Sequence, residues 1–255
     1  MTYVEGFIVA VPAENRDAYR RHAAAAVPMF EEFGATRLVE AWEEDVADGK
    51  VTDFRRAVQA TEDEKIVFSW FEYPDKATRD SATAKMMSDP RMEEIGASMP
   101  FDGRRMIYAG FAPFVDEGSG AGAYVDGFIL PVPEGNREAY RAMARKASAI
   151  FLEYGALRVV EALGDDVPEG KVTDYRRAVK QEEGEEIVYS WIEWPDKATR
   201  VEAWGKVMAD ERMKPPEGEP MPFDGKRMFW GGFEVLVDSK AGIGAEAASE
   251  EREIA

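Results

Sequence analysis

The chain has 255 residues, 45% of them hydrophobic and 11% aromatic, with 32 basic against 50 acidic residues and a formal net charge of −18. A surface this acidic repels phosphate backbones and argues against nucleic-acid binding. The lack of any cysteine excludes disulfides, thiolate catalysis, iron–sulfur clusters and cysteine-based zinc sites. No apolar run approaches the roughly 20 residues that cross a bilayer, and the chain starts in a strand-like run without a secretory pattern, so a cytoplasmic protein that does not enter membranes is expected.

Residues 3–11 are rich in β-branched and aromatic side chains and predict a strand that ends at Pro12. Residues 14–33 predict a helix. Tyr19, Ala23, Ala26, Phe30 and Phe33 recur at steps of three and four on one face, and Gly34 stands where a helix C-cap takes glycine. A second strand is predicted over 35–43. Residues 51–58 read as extended chain or loop. The clearest strand covers 66–73, with Ile66, Phe68 and Trp70 on one face and Val67, Phe71 and Tyr73 on the other. Asp75 can cap a second helix over 76–88, and a turn at Asp102-Gly103 leads into a last strand over 105–115.

The chain then repeats itself. Tyr3-Val-Glu-Gly-Phe-Ile returns as Tyr124-Val-Asp-Gly-Phe-Ile, and Gly49-Lys-Val-Thr-Asp-Phe-Arg-Arg-Ala-Val58 as Gly170-Lys-Val-Thr-Asp-Tyr-Arg-Arg-Ala-Val179. Met99-Pro-Phe-Asp-Gly103 returns as Met221-Pro-Phe-Asp-Gly225. A first repeat over 1–116, a Gly-rich linker over 117–123, a second repeat over 124–238 and a disordered acidic tail over 239–255 are expected. Each repeat reads β-α-β-β-α-β, a ferredoxin-like α+β unit with helices on one face of an antiparallel sheet. Because the third strand is apolar on both faces, the uncovered face must meet a second sheet. The other repeat supplies it, so tandem sheets packed face to face as an intramolecular α/β barrel are predicted. Such a pseudo-dimer within one chain would exist as a monomer or a weak dimer of chains.

The blocks Tyr-Val-(acidic)-Gly-Phe, Gly-Lys-Val-Thr-Asp-(Phe/Tyr)-Arg-Arg-Ala-Val, Ser-Trp and Met-Pro-Phe-Asp-Gly-(Arg/Lys)-Arg-Met resemble the YbaA-like family, bacterial domains of unknown function in the dimeric α/β-barrel superfamily. The resemblance covers both repeats. It implies a ferredoxin-like fold that pairs through its sheet, and it brings no established activity and no catalytic residues. The wider superfamily includes monooxygenases, haem-degrading enzymes, chlorite dismutase relatives, isomerases and ligand-sensing domains, so fold alone does not give function.

Among the candidate residues, His22 is the one histidine of the chain, either a general base or haem ligand or a helix-face residue. With no cysteine beside it, a transition-metal site is not expected. Glu40 and Glu161 lie inside the second strand of each repeat and are candidate acid–base groups if partly buried, or ion-pair and rim residues if not. Asp53, Arg55 and Arg56, with Asp174, Arg176 and Arg177, form either a carboxylate-binding constellation or loop-fastening pairs. Trp70 and Trp191 are either cavity walls or core, and Glu72 and Glu193 beside them read as strand ends reaching solvent. Arg105 and Arg227 either line a cleft mouth or make structural salt bridges.

A small-molecule-binding barrel without cofactor is the leading reading. A cofactor-independent monooxygenase- or isomerase-like enzyme acting on a flat apolar substrate is the second, and an interaction module the third. His22 becomes Met143, Trp42 becomes Leu163, Met86 becomes Val207 and Tyr108 becomes Trp230 between the copies. At most one repeat should therefore keep a fully open pocket.

Overall fold

The structure, a computed structural model, describes residues 2–214, 218 and 220–244. The acidic tail expected from 239 falls, from residue 245 on, outside the described residues; its first part makes a bridge between Asp238 and Ile243. The first repeat contains strands β1 (Tyr3–Pro12), β2 (Arg37–Val46), β3 (Glu64–Tyr73) and β4 (Ile107–Gly118), with helices α1 (Arg16–Phe33), α2 (Phe54–Ala57), α3 (Lys76–Met86) and α4 (Arg91–Ala97). The second contains β5 (Tyr124–Pro133), β6 (Arg158–Asp166), β7 (Glu185–Trp194) and β8 (Phe229–Asp238), with α5 (Arg137–Glu153), α6 (Tyr175–Ala178) and α7 (Lys197–Ala209). No helix among the described residues is long and apolar enough to cross a membrane.

The eight strands form one closed antiparallel barrel in the order β1-β3-β2-β8-β5-β7-β6-β4. The predicted α/β barrel is present, and it is closed by hydrogen-bonded strand pairing between the repeats as well as by packing of their inner faces. The sheets are joined along both edges, β2 to β8 and β4 to β6, so that no edge of the ring is left open. Register shifts in both seams accommodate the bend where the repeats meet. β4 runs through Gly118, two residues into the stretch expected to be linker, because those residues pair with β6.

The alternation in β3 has the predicted meaning. Ile66, Phe68 and Trp70 point into the barrel, and Val67, Phe71 and Tyr73 lie outside under the helices. The interior is packed solid by aromatic rings from both repeats. Trp70 stacks on Trp191 at 4.6 Å, and Phe68 on Tyr189 at 4.6 Å with 7° between planes. This packing explains the glycine in the repeated Tyr-Val-acidic-Gly-Phe block. A Cβ on Gly6 would stand 2.7 Å from the Tyr189 ring, and one on Gly127 2.8 Å from the Phe68 ring. Each repeat's glycine makes room for the other repeat's aromatic side chain.

Asp53 and Asp174 are extended, but the residues that follow them, 54–57 and 175–178, are helical rather than extended or loop. Asp53 and Asp174 accept from the backbone N–H of Arg56 and Arg177 and cap the short helices α2 and α6. These helices close one end of the barrel. Phe54 and Tyr175 point inward, and Thr52 Oγ1 donates to Ala178 O at 2.6 Å while Thr173 Oγ1 donates to Ala57 O at 2.7 Å. The opposite end carries a buried network shared by both repeats. Arg37 donates to Glu193 at 2.7 Å and Asp238 at 2.7 Å, and Arg158 to Glu72 at 2.6 Å and Asp116 at 2.7 Å. Glu72 and Glu193 therefore do not reach solvent. They accept from the Trp70 and Trp191 indole N–H groups, each at 3.1 Å, and tie the two repeats together.

Candidate functional site

With the barrel interior filled, the apolar cavities lie outside its wall, between the outward strand faces and the helices. In the first repeat α1, α3 and α4 arch over β1, β2 and β3 and enclose a cavity of about 390 Å³. Its floor is built from residues whose alternation directs them outward: Glu5 and Phe7 of β1, Leu38 and Glu40 of β2, Ser69 and Phe71 of β3. Aromatic and methionine side chains from the helices and the 99–108 segment complete it, with Tyr108 half exposed and Met87 largely exposed at the mouth.

Two carboxyl groups face this apolar space. Glu40 is 7% exposed, and the Tyr19 hydroxyl donates to it at 2.7 Å. Burial raises its pKa to about 7 against the opposing pull of the Tyr19 and Ser69 hydroxyls. Glu5 is 5% exposed, and among the described residues no hydrogen bond reaches its carboxylate. Burial raises its pKa to about 7 as well, opposed by the Arg79 guanidinium and assisted by Asp166 and Asp80. Arg79 is held elsewhere, 2.7 Å from Asp166 and 3.0 Å from the Tyr3 hydroxyl. Since β3 separates β1 from β2, with Glu5 across from Phe71 and Glu40 across from Ser69, the two glutamates stand roughly 12 Å apart at their Cα atoms. His22 lies on the cavity wall near the mouth, 3.5 Å from Ser98 Oγ and edge-on to Phe101.

The second repeat keeps the floor and loses the space. Tyr140 donates to Glu161 at 2.8 Å, and burial raises the Glu161 pKa to about 7. The cavity here is only about 140 Å³. Trp204 occupies the position of Thr83 and packs against Phe151 at 5.2 Å. Its indole N–H donates at 2.7 Å to Asp126, the counterpart of Glu5. Asp126 also receives Trp194 Nε1 at 2.9 Å and Arg200 at 2.7 Å, so it is fully engaged within the protein. The unequal pockets agree with the expectation that at most one repeat stays open.

The remaining sequence candidates are not brought to this cavity. Asp53, Arg56, Asp174 and Arg177 cap and brace α2 and α6. Arg55 binds Glu43 at 3.2 Å and the Glu64 carbonyl, and Arg176 binds Gln181. Arg105 forks onto Glu64, and Arg227 onto Glu185, at 2.5–2.8 Å. Trp70 and Trp191 are barrel core. Sequence reasoning passed over Glu5, Thr83 and the Arg37/Arg158 pair. An acidic residue in an otherwise apolar strand was the available signal for Glu5. Among the described residues no group of three His, Asp or Glu side chains could hold a metal ion.

The closed α/β barrel is shared with two crystal structures of proteins named putative monooxygenase. That from Lactobacillus acidophilus superposes with a TM-score of 0.56 at 8% identity, covering 93% of this chain and 95% of the other. That from Fusobacterium nucleatum gives a TM-score of 0.52 at 13% identity, covering 93% of each. At these identities the likeness is one of fold. Residues 2–103 and 123–225 each match the family described as Protein of unknown function (DUF1428), and the chain belongs to that family as a tandem of two copies. The uncharacterised protein YbaA of Escherichia coli is 66% identical over 117 residues, which is 46% of this chain and the whole of that one.

Proposed function

We propose that the chain is a small-molecule-binding α/β barrel whose site is the first-repeat apolar cavity, larger than its second-repeat equivalent, and that the second repeat serves mainly as the other half of the wall. The observation that carries this reading is the pair of buried carboxyl groups, Glu5 and Glu40, facing a 390 Å³ apolar cavity that the sister repeat fills with Trp204. A buried acceptor left without a donor, as Glu5 is, costs stability, and a donor brought by a ligand would remove that cost. On the same reading the two ferredoxin-like halves, 1–116 and 124–238, act as a pseudo-dimer in a cytoplasmic chain that exists as a monomer or a weak dimer of chains.

An enzymatic role is the second reading, favoured by one observation. Glu40 titrates near neutrality beside a phenol, which suits it to take and return a proton in a cofactor-independent isomerisation or oxygenation of a flat apolar substrate. The ligand reading is tested by Thr83→Trp, which copies the second repeat's plug into the first. Thermal-shift screening against a panel of single- and double-ring compounds of neutral, cationic and anionic charge should give hits with the parent chain. Thr83→Trp should weaken these hits at least tenfold while the protein stays folded, and Trp204→Thr should not weaken them. Undiminished binding to the plugged variant would place the ligand elsewhere.

A further inference from the structure

The charge inventory of the first cavity is one-sided. Glu5 and Glu40 line it, and no lysine or arginine does. The guanidinium nearest Glu5, that of Arg79, is tied to Asp166 and Tyr3. Glu5 is thus a buried acceptor, open to a cavity, that no side chain supplies with a donor. The walls are rings and thioethers, among them Phe7, Phe30, Phe71, Met86 and Met92. Aromatic faces attract a desolvated cation, and methionine adapts to its shape.

The second repeat shows what satisfies this position. Around Asp126 the protein supplies an aromatic ring bearing an N–H donor, Trp204, together with a cationic donor, Arg200. The second repeat fills the space before Asp126 with the Trp204 ring, where the first repeat has only Thr83, and Arg79, the first repeat's counterpart of Arg200, turns to Asp166 and Tyr3 instead of bonding Glu5.

Resting on the reading that this cavity is a ligand site, we propose that its ligand is a lipophilic amine in the protonated form, with the ammonium group donating to Glu5 and its ring system lying among the phenylalanines and methionines. The net charge of −18 enriches such cations near the surface. The ammonium favours the ionised carboxylate, so binding below neutral pH releases protons and affinity rises between pH 6 and 8. The groups that set this balance are Arg79, Asp166, Asp80 and Tyr73 around Glu5, Tyr19 and Ser69 around Glu40, and His22 on the wall.

The test is calorimetric titration of the full chain with three ligands of matched size, 2-naphthylmethylammonium, 2-naphthylmethanol and 2-naphthoate, at pH 6, 7 and 8 in two buffers of different ionisation enthalpy. The ammonium should bind at least tenfold tighter than the alcohol, with proton release at pH 6 and no measurable binding of the carboxylate. Glu5→Gln should remove the preference for the ammonium. Thr83→Trp, which places an indole before Glu5, should remove binding altogether and covers the case that Glu5→Gln fails to fold. Equal affinity for alcohol and ammonium, or a preference that survives Glu5→Gln, overturns the inference. If only neutral or anionic compounds of the wider panel bind, the charge assignment falls and the ligand site stands. If nothing in that panel binds, both fall.

Discussion

Arg37→Ala is expected to destabilise the protein by about 3–5 kcal/mol in urea denaturation, and Arg158→Ala by a similar amount. Arg37 is 2% exposed, and its guanidinium forks onto both Glu193 and Asp238 while approaching Glu72 at 3.4 Å. Removal leaves carboxylates buried near the barrel end without their counter-charge. Hydrogen bonds from Arg158 hold Glu72 in its ionised form, its pKa below the usual carboxylate value even though burial works the other way. Because Arg37 and Arg158 share Glu72 and Glu193, the double variant should lose less than the two single losses added together. Arg37→Lys should recover little, since a single ammonium cannot reproduce the paired forks. A loss below about 1 kcal/mol for Arg37→Ala would show that the network holds nothing together.

Stability should also fall as pH rises from about 4.5 to about 7, because Glu5 and Glu40 titrate near 7 in the folded chain and near 4.5 when unfolded. In that window the folded state binds more protons than the unfolded one. A group of this kind costs nothing below its unfolded pKa and its full amount above its folded pKa. The expected cost for each of the two carboxyl groups is about 3 kcal/mol at most. Glu161 works in the same direction. Glu64, which the Arg105 fork lowers to about 2, acts oppositely, and its contribution disappears only as pH drops from about 4.5 towards 2. The stability maximum should therefore lie near pH 5. Glu5→Gln and Glu40→Gln should each flatten the slope above it and raise stability at pH 8. A thermal-denaturation profile that is flat from pH 5 to 8, or steeper in either variant, would contradict the burial of these groups as charges.

Much of the architecture could be read from the chain because it depends on alternation and repetition. The two-faced β3 required a second layer, the duplicated blocks named its source, and the Asp75 cap, accepting from Thr78 N at 2.7 Å, sits where it was predicted. The barrel was predicted, but the strand pairs that close it were not legible, since packing face to face and pairing side by side demand the same inward residues. The bulged seams that distinguish them are backbone events with no side-chain pattern of their own. The arginines near positions 55 and 176 were misleading for a related reason. Their block does form a defined structure, but as a capped turn of helix whose charges point to neighbouring backbone rather than into a cavity. Glu40 was legible as a mid-strand acid. Glu5 differs from Asp126 by one methylene, and only the placement of Arg79 against Arg200 and of Thr83 against Trp204 gives the two acids opposite surroundings.

The two seams of the barrel have a consequence for cutting the chain. Both join strands of different repeats, so continuity through residues 119–123 contributes proximity rather than any strand of the ring. A nick introduced there should leave the protein intact at working concentrations, and the halves should come apart only in denaturant and rejoin with second-order kinetics. Either half isolated would carry two bare strand edges and an uncovered aromatic face. It would have to find another copy of itself or precipitate, so the fused chain replaces an encounter that depends on concentration with one that is always within reach.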